Sequence, residues 1–148
     1  MALWQYTFHI IPYSSSEKLR IGKQLESAEY FDDSEFWIPF NYKMEEFKDL
    51  EKILPLGKSW SEQITVYGNL ETNCIEVISE NDKVVSVSLR LDFRENYHPL
   101  LENVLTFLRQ KNMLLIDESL IVRGNFLSEL VDTINNSDQQ KKYNKLSS

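Results

Sequence analysis

The chain has very little of what makes small proteins irregular or redox-active. One cysteine, Cys74, stands among 148 residues, so no internal disulfide can form and nothing argues for an oxidising compartment. Four glycines and four prolines exclude collagen-like and low-complexity chains. The two histidines, His9 and His98, lie far apart and, with one cysteine, cannot adopt the spacing of a zinc site. No run approaches the roughly 18 apolar residues of a membrane span. Met1 to Phe8 lack a basic segment and a small-residue cleavage site, so no secretory signal is expected there. Phosphate-cradling glycine loops and nucleophile elbows are also missing. These absences lead to the expectation of a soluble, cytoplasmic protein with no cofactor and no metal, more a binding protein than an enzyme.

Basic residues are scarce as well. Sixteen Lys and Arg against 23 Asp and Glu leave a net charge of −7. A phosphate backbone repels such a protein, and the one basic cluster, Lys141, Lys142 and Lys145, is short, so nucleic acid is not an expected partner. Acids instead concentrate between Glu26 and Glu35, with five carboxylates and no base. Large aromatics run through and beyond this stretch: Tyr30, Phe31, Phe36, Trp37, Phe40 and Tyr42. Acids mixed with aromatic anchors suit a surface that meets a basic protein. Glu29, Tyr30, Asp32, Asp33, Glu35 and Trp37 are therefore the expected partner-binding residues. The plainer alternative is a solvated acidic rim over an aromatic core.

Hydropathy patterning predicts one α+β domain over residues 1–136 and a polar, frayed tail over 137–148. Leu3 to Tyr13 reads as a strand, and Met44 to Leu54 as a short amphipathic helix with Asn41 as its cap. Glu62 to Gly68, Asn73 to Ser79 and Val84 to Arg94 follow as strands of an antiparallel meander. Val85, Val87, Leu89, Leu91 and Phe93 alternate with polar residues and so form one apolar face. A three-residue loop, Asn81 to Lys83, sets Val77 opposite Val87 and Ile75 opposite Leu89; a four-residue loop, Asn69 to Thr72, sets Val66 opposite Ile75. Stripes at Leu101, Val104, Leu105 and Leu108, and at Leu127, Leu130, Val131 and Ile134, predict two helices covering that face. Met113 to Val122 offers two short apolar runs broken by Asp117, Glu118 and Ser119. Residues 17–31 carry no clear period.

The opposite, polar face holds the only constellation with chemical potential. The register places Tyr67, Cys74 and Arg90 in one cross-strand row, with Thr65, Glu76 and Ser88 in the next and Asp92 and Arg94 further along. An arginine beside a thiol favours the thiolate, and Asp92 between two arginines would be held ionised. This group is the expected site if the protein takes a small ligand or acts as an enzyme. A half-exposed sheet face with ordinary cross-strand pairs accounts for the same residues. Val84 and Ile78, read as exposed beside the serines, would serve a homodimer.

The order of a WSEQITVYG strand, a hairpin, a strand ending RLDFR, a helix, short strands and a last helix resembles small bacterial α+β proteins, among them immunity-type proteins that accompany polymorphic toxins. The likeness spans Trp60 to Ser137 and departs at the lysine-containing tail. It brings no catalytic motif. It implies a single-domain binding protein whose acidic and aromatic surface blocks a basic partner.

Overall fold

The computed structural model describes residues 2–13, 21–25 and 31–147. Its centre is a six-stranded antiparallel sheet in the order β2-β3-β4-β1-β5-β6. The strands are β1 (Gln5–Pro12), β2 (Ile64–Gly68), β3 (Cys74–Glu80), β4 (Lys83–Asp92), β5 (Met113–Ile116) and β6 (Val122–Arg123). The helices are α1 (Ser34–Trp37), α2 (His98–Gln110), α3 (Leu127–Asn135) and α4 (Asp138–Ser147), with a 3-10 helix at Met44–Lys52. The α+β class read from the sequence is the class observed. Strand β1 is rich in aromatic and β-branched residues and lies between β4 and β5, joining the meander to the β5–β6 hairpin.

One face of the sheet carries the main core. Ile75, Val77, Val87, Leu89 and Leu91 pack with Phe8 and Ile10 against Leu101, Val104, Leu105 and Leu108 of α2 and Leu130 and Ile134 of α3, all buried. Trp37, Phe47 and Leu50 close the same core, and the Trp37 indole donates to the Ile10 carbonyl at 3.0 Å. Pro99 in the first turn of α2 occupies a position whose N–H no helix bond needs. The segment Met44–Lys52 winds as a 3-10 helix and starts at Lys43, whose N–H donates to Glu46 Oε2 at 3.0 Å; this contact replaces the expected Asn41 cap.

Three expectations are corrected. Val77 does face Val87 and Ile75 does face Leu89, but by a different route. The turn is the two residues Asn81 and Asp82, both at positive φ, as a hairpin of this hand requires. A bulge at Val85 then restores the register. The bulge turns Val84 inward, fully buried, with its N–H donating to the Tyr42 carbonyl at 2.8 Å. The dimer surface expected at Val84 therefore loses that residue. Strand β2 is offset by one: Val66 pairs with Glu76 and Tyr67 with Ile75. Gly68 sits at φ +97, where a β-carbon would meet the Asn73 carbonyl oxygen, and the connection closes through Asn69 N–H to the Asn73 carbonyl at 3.0 Å. That loop is one residue longer than expected, so every β2 side chain changes face. Third, the tail expected to fray is α4, which is capped by Ser137 (Gln140 N–H to its Oγ, 3.1 Å). It is tied back through Gln139 Nε2 to the Leu3 carbonyl at 2.8 Å and Tyr143 edge-on to Phe93.

Both outer edges of the sheet are occupied. Gly57 N–H donates to the Val66 carbonyl and Gly68 N–H to the Pro55 carbonyl along β2. Gly22 N–H donates to the Val122 carbonyl and Val122 N–H to the Lys23 carbonyl along β6. Edges covered this way cannot template strand addition.

Tyr97, just before α2, is buried in the core and its hydroxyl has no partner among the described residues. Burial pushes its ionisation up to about 12. An orphaned buried hydroxyl costs about 1–3 kcal/mol, so Tyr97→Phe is expected to raise the denaturant midpoint. A loss of stability on this change would show that the hydroxyl has a partner.

Candidate functional site

The polar sheet face comes together only in part. Cys74 does pair with Arg90, and Glu76 with Ser88. Arg90 Nη2 lies 3.6 Å from Glu76 Oε2. Tyr67 leaves the row because of the β2 offset and is buried in the main core. Cys74 is fully buried with Ile64 and Val66, and burial pushes its thiol up to about 11, outweighing the opposing pull of Arg90. Burial thus works against the activated thiolate that the ligand-site alternative would need. Asp92 is held by one arginine, not two: Arg94 Nε and Nη2 donate to it at 3.0 and 2.7 Å, and Arg94 also lies over the Trp4 ring. These residues lock strand ends. With Cys74 closed off, a thiol reagent at pH 8 should modify the native protein about two orders of magnitude more slowly than the unfolded chain. Comparable rates would mean the thiol is open.

The expected binding rim also divides. Glu29 and Tyr30 lie outside the described residues. Asp32 and Glu35 are exposed, and the Asp32 carboxyl is held below its usual range by hydrogen bonds from Ser34. Asp33 and Trp37 are buried and are not rim residues. Trp37 completes the aromatic core with Tyr42 and Phe47. Asp33 accepts the Ser86 hydroxyl at 2.9 Å and lies 3.7 Å from His9 Nδ1. It turns inward because the 31–37 segment packs on the sheet, with Phe31 edge-on to His9. Asp33→Ala is thus expected to destabilise the fold by about 1–3 kcal/mol by orphaning Ser86, and Asp32→Ala by less than about 1 kcal/mol. Equal losses in a denaturation series would return Asp33 to the surface.

A different acidic surface is built where the β5–β6 turn meets α3 and the start of α4. A cleft of about 720 Å³ there is lined by Tyr6, Asp117, Glu118, Arg123, Glu129, Asp132 and Asp138, with hydroxyl and amide side chains between them. Asp117, the last residue before the turn, is buried. Its Oδ1 accepts the N–H groups of Ser119 and Ile121, both at 2.9 Å, and its Oδ2 accepts Arg123 Nε at 2.8 Å. Leu120 takes positive φ to close this turn. Arg123 Nη1 also lies 3.7 Å from Glu129. The single guanidinium is therefore already shared by two carboxylates. Asp132 and Asp138 have no ion pair among the described residues. The Tyr6 hydroxyl, from β1, accepts the Glu118 N–H at 3.1 Å at the floor. Burial and the neighbouring Asp117 raise the Glu118 carboxyl above its ordinary value, against the lowering effect of a hydrogen bond from the Thr7 backbone. A bound cation would relieve that cost.

In the sequence, Asp117, Glu118 and Ser119 read only as a break between apolar runs. The usable signal was Asp117 two residues before Ser119 in that break, the pattern of an Asx turn. Among the described residues no group of three or more His, Cys, Asp or Glu is arranged to hold a metal ion, and no helix is long and apolar enough to cross a membrane. The chain matches no family model, no curated protein and no solved structure at a significant level.

Proposed function

We propose that this protein is a non-enzymatic binding module that receives a basic segment of a partner protein in the cleft between the β5–β6 turn, α3 and α4. The observation that carries the reading is the charge of that cleft: five carboxylates face one guanidinium, and Asp117 and Glu129 already engage it. Like charges gathered in one concavity repel, and a cationic partner relieves the repulsion and is steered toward it. The net charge of −7 extends the attraction beyond the cleft. An immunity-type role, with a toxin as the basic partner, is one form this function takes.

The test is binding of a labelled arginine-and-serine peptide across a salt series. Asp132→Asn with Asp138→Asn should weaken binding by about tenfold at low salt and flatten its salt dependence. Asp32→Asn with Glu35→Gln, which change exposed acids away from the cleft, should leave both nearly unchanged. No binding at low salt, or a larger loss from the Asp32 and Glu35 pair, would overturn the assignment.

A further inference from the structure

A largely apolar concavity of about 290 Å³ lies across the β6–α3 connection from the acidic cleft, walled by Tyr13, Ile21, Met113, Leu114 and Phe126, with Arg109, Asn112 and Asn125 completing its lining. Tyr13, Ile21 and Phe126 are 56%, 52% and 61% exposed, three of the eight exposed large hydrophobics among the described residues, and they share this one hollow. Phe126 is nevertheless held in place. Gly124 leaves room for its ring to lie back over the chain, where a β-carbon would come within 3.1 Å of it. Asn125 Nδ2 donates to the Met113 carbonyl at 2.7 Å, and Arg109 donates to the Asn125 carbonyl through Nε and Nη2, pinning the same turn to β5 and α2. A large apolar side chain fixed at a rim before a partner arrives loses little entropy on binding.

The two hollows share the β6–α3 connection. Arg123 lines the cleft, Asn125 and Phe126 line the apolar hollow, and Ser128 and Glu129 line the cleft again. Two residues of chain span no more than about 7 Å, so the hollow and the Arg123 end of the cleft lie on either side of one short connection. The hollow is slightly smaller than the roughly 300–1,000 Å³ of pockets that enclose a whole small ligand, which fits one inserted side chain.

We infer that the partner of the cleft is a polypeptide segment in which a large apolar side chain lies next to its basic residues, the cations seated in the cleft and the apolar anchor over Phe126. This rests on the reading of the cleft given above, and it distinguishes the partner from a polyamine or a purely cationic tail. Acid and aromatic contacts then divide the work, the charges steering encounter and the anchor slowing release.

The experiment compares two labelled peptides, one of arginine and serine only and one with a central serine replaced by tryptophan, on the full chain. The tryptophan peptide is expected to bind about tenfold more tightly, through a slower off-rate. Phe126→Ser should abolish that difference and leave the arginine–serine peptide unaffected. Phe126 is exposed, so the fold should survive, and Ile21→Ser on the opposite wall serves as the second variant. Equal affinities for the two peptides, or an advantage that persists in both variants, would overturn the inference while leaving the cleft reading intact. If neither peptide binds at low salt, the cleft reading fails and takes the inference with it.

Discussion

Strand β1 is hydrogen-bonded on both edges and packed on both faces, and the rest of the molecule is arranged around that constraint. Its hydrogen bonds go to β4 on one side and β5 on the other. Its side chains then reach the remaining parts one by one. Gln5, fully buried, donates to the Leu70 and Thr72 carbonyls and holds the β2–β3 loop. Tyr6 supports the β5–β6 turn through Glu118. His9 lies against Asp33, and the Ile10 carbonyl takes the Trp37 indole, which seats α1. Each of these contacts spans a long stretch of sequence, so each depends on the sheet having formed around β1. Long-range pairing of this kind closes large loops and is favoured only once hydrophobic burial offsets the entropy.

The distribution of charge follows from the same frame. Carboxylates that help to hold the fold have partners: Asp92 with Arg94, Glu76 with Arg90, Asp117 with Arg123, Asp33 with Ser86. Asp92 and Asp117 are the most buried of these, and breaking a buried ion pair on one side leaves a charge that costs about 3–5 kcal/mol. The arginine that satisfies Asp117 cannot also neutralise Asp132 and Asp138. A structural requirement at the turn thus leaves the cleft negative. The acid-rich stretch from Glu26 to Glu35 shows the converse, because its described members include one buried residue committed to the fold.

Elements with a strong local period were legible in the sequence, and those set by single backbone residues were not. The alternation from Val85 to Phe93 and the stripes of α2 and α3 placed most of the main core on the correct face. The β2 offset came from positive φ at Gly68, and the Val85 bulge from a two-residue turn that needed correction downstream. Periodicity carries no record of either. Helix α4 buries no residue completely, so composition pointed to a frayed end. What orders it is a serine cap and two contacts to distant residues, Leu3 and Phe93. The cleft was hidden for a related reason: its acids are spread from Asp117 to Asp138 and form no run.

The closed edges restrict how a partner can engage this molecule. Residues 55–57 occupy the outer edge of β2, and Gly22 and Lys23 that of β6, so the described sheet offers no free ladder for strand addition. One face is covered by α2 and α3, and the other is closed at its two ends by Leu25, Phe31 and Phe36 and by Leu70 and Ile78. Under the proposed reading, recognition would rest on side chains presented at the seams between elements. The seam between the β5–β6 turn and the last two helices joins a fixed buried ion pair, unneutralised carboxylates and an exposed aromatic ring within one stretch of chain. Its walls come from both ends of the sequence, since Gln139 at the start of α4 is tied to Leu3 just before β1. Tyr143 of the same helix rests on Phe93, which packs against the main core, so the shape of the cleft and the docking of the C-terminal helix depend on the same contacts.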